Sequence, residues 1–288
     1  MQVTIDSKSG FCFGVKNAIS LAENELSQGR EIYSLGDIVH NEEEVARLEK
    51  LGMKVIGRET FKTLKNCTVL IRAHGEPPET YSYAAANNIR LIEGTCPVVL
   101  KLQEKIRKKN AELSGEGTLV IFGKPEHPEV IGLNGQVGNK AVIVQTTGDF
   151  DRIDFSKPVK LFAQTTMERQ KYIELRQALE EKIENKSLLD TCDSICGQVA
   201  NRGPWLESFS KTVDAVIFVG GTKSSNSKVL YGHCKKANPN SFFVSSPEEI
   251  YNLSLESYKK TGVCGATSTP LWLMETIANA IRNKYPDE

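Results

Sequence analysis

The sequence predicts an α/β protein of three small lobes, each built on a mostly parallel sheet with helical crossovers. Three observations carry that expectation. Runs rich in Val and Ile alternate with amphipathic, charged runs from one end of the chain to the other. Cys12, Cys96 and Cys196 recur in one local setting, where a short β-like run ends and a helical run begins. The unusual polar motifs fall at the carboxyl ends of the predicted strands, where parallel sheets collect ligands.

Taken in order, the first cysteine segment is VTIDSKSGFCFGVKNAI. REIYSLG and CTVLIRAHG follow as strand candidates, with the charged periodic segment NEEEVARLEKLG between them. The second cysteine segment, NIRLIEGTCPVVLKLQEKI, opens the middle third. GTLVIFG, KAVIVQTT and VKLFAQTT then read as strands, and the last leads into the helical MERQKYIELRQALEEKIEN. The third cysteine segment is SLLDTCDSICGQVANRG. Beyond it come the strands AVIFVGG, SFFVSS and TGVCGAT, with the helical runs NSKVLYGHCKKAN and PLWLMETIANAIRNKY. The expected lobes are residues 13–95, 96–194 and 195–288, with residues 1–12 joined to the third. They share an architecture rather than a repeated sequence.

The chain has 288 residues, enough for one large domain or two to three smaller ones, with 25% charged residues and a formal net charge of +0. That balance offers no basic field for a nucleic acid or an anionic membrane. No apolar run has transmembrane length, and MQVTIDSKSG lacks the pattern of an export signal. Seven cysteines, an odd number spread over an ordinary-sized chain, suit a reducing compartment, so the expected location is cytoplasmic.

The wide spacing of Cys12, Cys96 and Cys196 excludes a compact CxxC knuckle and suits three loops converging on one centre. Several readings of that centre are open. A structural zinc site takes four ligands, and the short pair Cys192–Cys196 with Cys12 and Cys96 would supply them. An iron-sulfur cluster held by three cysteines would leave one iron open. Separate buried thiols are the plain alternative, and Cys67, Cys234 and Cys264 suit it.

His40 ends LGDIVH, His74 lies in RAHGEPP, and His127 lies in GKPEHPEVIG, whereas His233 sits in the helical YGHCKK. Imidazoles facing one anion would serve as diphosphate ligands. Thr165 and Thr166, Ser224, Ser225 and Asn226, and Ser268 each stand between a strand and a helix. These are ordinary capping positions, and also positions that cradle phosphate oxygens. GGTKSSNS lacks the P-loop order and GFCFGV lacks GxGxxG, so no nucleotide cofactor is expected. Glu126 and Glu129 compete as the acid that passes a proton to a leaving hydroxyl.

Together, GFCFGV, IVHN, AHG, GTCPVV, HPEVIG, QTT, the Cys196 segment, SSNS and STP form an ordered set over essentially the whole chain. In that order they resemble the 4-hydroxy-3-methylbut-2-enyl diphosphate reductase family. The resemblance implies three α/β lobes around a central 4Fe-4S cluster held by Cys12, Cys96 and Cys196, its fourth iron open to substrate or water. It implies His40, His74 and His127 in the substrate pocket, Glu129 rather than Glu126 as proton donor, and Thr165 beside the substrate hydroxyl. Ser224, Ser225, Asn226 and Ser268 would bind diphosphate. The implied reaction reductively dehydroxylates an allylic diphosphate to isopentenyl and dimethylallyl diphosphates, the last step of the non-mevalonate route. Ferredoxin or flavodoxin would supply two electrons. Two departures stand out: Gly203 follows Asn201–Arg202 where the family commonly has glutamine, and Lys124 stands where many members have histidine. Cys192 stands outside the family's ligand set. The competing functions are an iron-sulfur hydro-lyase and a zinc-stabilised, non-enzymatic ligand-binding protein.

Overall fold

In a computed structural model the structure describes residues 1–286, with Ser225 described without its side chain. The chain opens with β1 (Gln2–Ile5), α1 (Phe13–Ser27), β2 (Ile32–Leu35), α2 (Glu42–Lys50), β3 (Met53–Ile56) and α3 (Arg58–Phe61). It continues through β4 (Thr68–Ile71), α4 (Pro78–Ala86), β5 (Arg90–Glu93), α5 (Pro97–Glu112), β6 (Thr118–Phe122), α6 (Pro128–Gly135), β7 (Val142–Val144) and β8 (Val159–Ala163). The last stretch is α7 (Arg169–Lys182), β9 (Leu189–Thr191), α8 (Gly197–Ala200), α9 (Arg202–Ser210), β10 (Ala215–Val219), α10 (Ser225–Ala237), β11 (Ser241–Val244), β12 (Lys260–Gly265) and α11 (Leu271–Lys284).

The strands form three four-stranded sheets, ordered β1-β12-β10-β11, β3-β2-β4-β5 and β7-β6-β8-β9. The ladders β12–β10, β4–β5 and β6–β8 are parallel, as in Val216↔Gly262, Val69↔Leu91 and Val120↔Leu161. This is the predicted three-sheet α/β fold with helical crossovers. Central strands covered on both faces read as unbroken apolar runs: every residue of β10 and β8 is buried. The edge strand β1 alternates between exposed and partly exposed residues. Lys160, inside the buried β8, is tolerated because its ammonium reaches Glu112 at 2.5 Å. The strand β3 was not anticipated, since MKVI is short and carries a lysine.

Two compact units result. One comprises Met1–Glu31, Asp37–Val55 and Gly197–Glu288; the other comprises Ile32–Gly36 and Ile56–Cys196. The first has a core of Ile217, Val219, Val263, Leu273 and Ile277 on one side of its sheet, and of Val216, Phe218, Leu230 and Cys264 on the other. In the second, Ile106, Leu119, Ile121, Leu133 and Phe162 pack together. Each such aliphatic or aromatic side chain contributes about 1.5–3 kcal/mol on burial. No helix among the described residues is long and apolar enough to cross a membrane.

Candidate active site

Each of the three focal cysteines sits at a helix start. Cys12 is the residue before α1, and its N–H donates to Thr267 O at 3.1 Å. Cys96 stands before Pro97 of α5 and donates to Ala73 O at 3.1 Å. Cys196 immediately precedes α8 and donates to Thr165 O at 2.9 Å. The strand-to-helix context read from the sequence is therefore correct.

The cofactor expected there is corrected. Among the described residues, the metal-ligating side chains that group are His40, His74 and His127, with ligand atoms all within 4.8 Å of one another. No such group contains Cys12, Cys96 and Cys196. A 4Fe-4S cluster takes thiolates, and the donors that group are imidazoles.

In the second unit the AHG turn forms because Gly75 adopts φ 72°, a left-handed conformation that a side chain would strain. A Cβ there would also lie 2.7 Å from Gln103 Nε2. Glu76 behind it is fully buried, and burial holds its carboxyl above the usual range against the opposing charges of Arg58 and Arg72. Arg58 bonds Glu76 at 2.7 Å, which anchors the turn that presents His74. The His74 and His127 rings meet edge to face with centroids 5.2 Å apart.

His127 caps α6: its Nδ1 accepts the Glu129 N–H at 3.2 Å, and Pro128 occupies the first helical position. An accepting Nδ1 places the neutral ring's proton on Nε2. The same cap turns Glu129 inward. Glu129 is 1% exposed, whereas Glu126 is exposed, which separates the two competing acids. Thr165 clamps the buried carboxyl with its N–H to Oε1 at 2.7 Å and its Oγ1 to Oε2 at 2.8 Å. Burial pushes the Glu129 carboxyl up to about 7, against the two Thr165 hydrogen bonds that favour its charged form. Gln164 was missed by sequence reasoning. It is buried, accepts the Lys124 N–H at 3.2 Å and donates to Thr166 Oγ1 at 2.7 Å, so it ties the turn before His127 to the end of β8. Its place in QTT at a strand end was the available signal.

In the first unit, His40 precedes Asn41, which caps α2 by accepting the Glu44 N–H at 3.0 Å. Gly221 lies so close that a Cβ would sit 2.2 Å from His40 O, which excludes any side chain there. Glu42 accepts from the Thr222 hydroxyl at 2.7 Å; burial raises its carboxyl, but the bonds from Thr222 and Lys223 outweigh that and leave it lowered. Ser224 caps α10 through the Ser227 N–H at 3.1 Å. Asn226 Nδ2 donates to Thr267 Oγ1 at 3.0 Å, a partner absent from the sequence reading. The Ser225 side chain lies outside the described residues. Thr269 Oγ1 donates to Val219 O at 2.8 Å and accepts from Ala266 at 3.1 Å, so the turn after β12 is pinned to β10. Within that turn Ser268 Oγ is buried and has no hydrogen-bond partner among the described residues. A buried hydroxyl in that condition is available to an anion's oxygen.

A parallel α/β chain holding a buried, near-neutral carboxylic acid beside imidazoles, with hydroxyls gathered at helix starts, is built as an enzyme that moves protons at a polar ligand. Residues 3–282 match the LytB protein family. The chain is 46% identical over 286 residues to the 4-hydroxy-3-methylbut-2-enyl diphosphate reductase of Phocaeicola vulgatus, covering 99% of each chain. It is 48% identical over 283 residues to that of Bacteroides fragilis, covering 98% of each. A solved structure of (E)-4-hydroxy-3-methyl-but-2-enyl diphosphate reductase, the terminal enzyme of the non-mevalonate pathway, superimposes with a TM-score of 0.75 at 31% identity. That match covers 98% of this chain and 100% of the other. The chain belongs to the LytB family of 4-hydroxy-3-methylbut-2-enyl diphosphate reductases, which are oxidoreductases.

Proposed function

We propose that this chain reductively removes the hydroxyl of 4-hydroxy-3-methylbut-2-enyl diphosphate, yielding isopentenyl and dimethylallyl diphosphates. The reaction takes two electrons and two protons and releases water. The Glu129–Thr165 clamp carries the reading, because a carboxyl near neutrality can hold a proton at physiological pH and still release it. In the neutral acid, the Thr165 hydroxyl can accept from Glu129 while donating onward, since a hydroxyl both donates and accepts. That relay delivers the proton to the substrate's leaving hydroxyl, with His127 ordering the path. His40, His74, Ser224, Ser225, Asn226 and Ser268 bind the diphosphate in this scheme.

Electrons come from a separate ferredoxin or flavodoxin, because the sequence carries no flavin or nicotinamide motif. We assign the chain to the cytoplasm, whose reducing conditions suit its seven cysteines. Anaerobic turnover of the diphosphate with and without a one-electron donor tests the proposal. Donor-dependent formation of both products is expected. Turnover without a donor would favour a hydro-lyase instead.

A further inference from the structure

Cys192 is one of the cysteines that the proposed reaction leaves unused. It extends the β8–β9 ladder by one residue, its N–H donating to Leu161 O at 2.8 Å. Its side chain is partly buried against the core that contains Ile106, Leu119 and Phe162. From α5, Lys105 Nζ donates to Cys192 Sγ at 3.0 Å. Lys105 has no carboxylate partner among the described residues, so its charge faces the sulfur alone. Tyr172 is 2% exposed, and burial together with the charges of Asp193 and Cys192 holds its hydroxyl above the usual range. Asp193 itself is held by Arg169 at 2.7 Å.

Thiols that are partly accessible and sit beside a lysine are the reactive ones, and those sealed in apolar cores are inert. The chain contains both kinds. Cys234 and Cys264 approach to 3.9 Å between sulfurs but are wholly buried. Cys192 has both the access and the cation.

We propose that Cys192 is an oxidation site for hydroperoxides, with Lys105 as the cation beside the sulfur that receives the added oxygen. In the step, Cys192 sulfur attacks one peroxide oxygen, an S–O bond forms and the O–O bond breaks. The sulfur loses two electrons to the peroxide. The thiol proton goes to the departing hydroxide, which leaves as water from hydrogen peroxide, and Cys192 becomes a sulfenic acid. The site lies four residues before Cys196, whose N–H is bonded to Thr165 O, so the modified segment leads directly to the clamp on Glu129.

The test is a brief hydrogen peroxide pulse on the folded, full-length protein with dimedone present, followed by peptide mass spectrometry. An adduct is expected at Cys192 and not at Cys234 or Cys264. Lys105→Met is expected to slow labelling about fivefold, the size of one partly exposed charge interaction, with an unchanged circular dichroism spectrum. Lys105→Arg, which keeps the charge, is expected to label at close to the wild-type rate. No adduct at Cys192, equal labelling of Lys105→Met and wild type, or labelling of Lys105→Arg as slow as that of Lys105→Met would each overturn the proposal.

Discussion

Glu129 is 1% exposed and accepts two hydrogen bonds from Thr165, so two effects of opposite sign act on its proton. Burial is the larger and leaves the group near 7, against an ordinary value of 4.5. If this acid supplies the proton, kcat falls as pH rises through about 7, which a pH–rate profile under saturating donor will show. Thr165→Val removes one bond to the charged form and keeps the backbone bond, so that alkaline limb moves to higher pH. Stability has its own dependence. Below about 4.5 the acid is neutral in both folded and unfolded chains, and between 4.5 and about 7 only the unfolded chain loses the proton. Stability therefore falls across that window, by about 3 kcal/mol in total, and is level above it. Glu129→Gln lacks this slope, so denaturant titrations should show its stability rising relative to wild type from pH 4.5 to 7. A constant difference would contradict the assignment. Glu129 could not be told from Glu126 by spacing alone, because the helix cap at His127, which turns one inward, is a property of backbone geometry.

At the scale of elements, helix starts do most of the positioning: His127, Ser224 and Asn41 each cap a helix through a side-chain acceptor. Of these the Ser224 cap was legible, since a hydroxyl between a strand run and a helical run is an ordinary capping position. The contacts that hold one element against another were not. Gly203 is an example: a Cβ there would fall 2.9 Å from His233 Nε2, so the imidazole on α10 fills the space a longer residue at 203 would need. His233 is fixed in turn by Glu207 at 2.7 Å. The space that the family's glutamine would need is thus taken by a histidine 30 positions on. Gly203→Gln should destabilise the protein by about 1–3 kcal/mol, and adding His233→Ala should recover much of that loss. Thermal unfolding of the single and double variants measures it. The turn after β12 gives a second element-scale expectation. Ser268→Ala leaves the Thr269 pins intact, so it should raise KM for the diphosphate about tenfold with a smaller change in kcat.

For the whole molecule, the alternation of Val/Ile-rich and amphipathic runs was sufficient to read three parallel sheets. β3 escaped because four residues with an exposed lysine give no period. Residues 37–55 fold with 197–288, an association between distant segments that local pattern does not encode. The cofactor was also beyond the sequence: a helix start and a metal ligand share the same strand-to-helix setting, and among the described residues the metal-ligating side chains that group are imidazoles. Function was legible earlier than the site, because the order of nine short motifs is far more specific than any one of them. In the proposed reaction Glu129 is the acid that protonates the departing hydroxyl of the diphosphate substrate. Product formation from 4-hydroxy-3-methylbut-2-enyl diphosphate, measured anaerobically with a one-electron donor for wild type and Glu129→Gln, tests it most directly. Donor-dependent isopentenyl and dimethylallyl diphosphates are expected from wild type, and a rate lowered about 100-fold or more in the variant with substrate binding retained. Near-normal turnover by Glu129→Gln would contradict it.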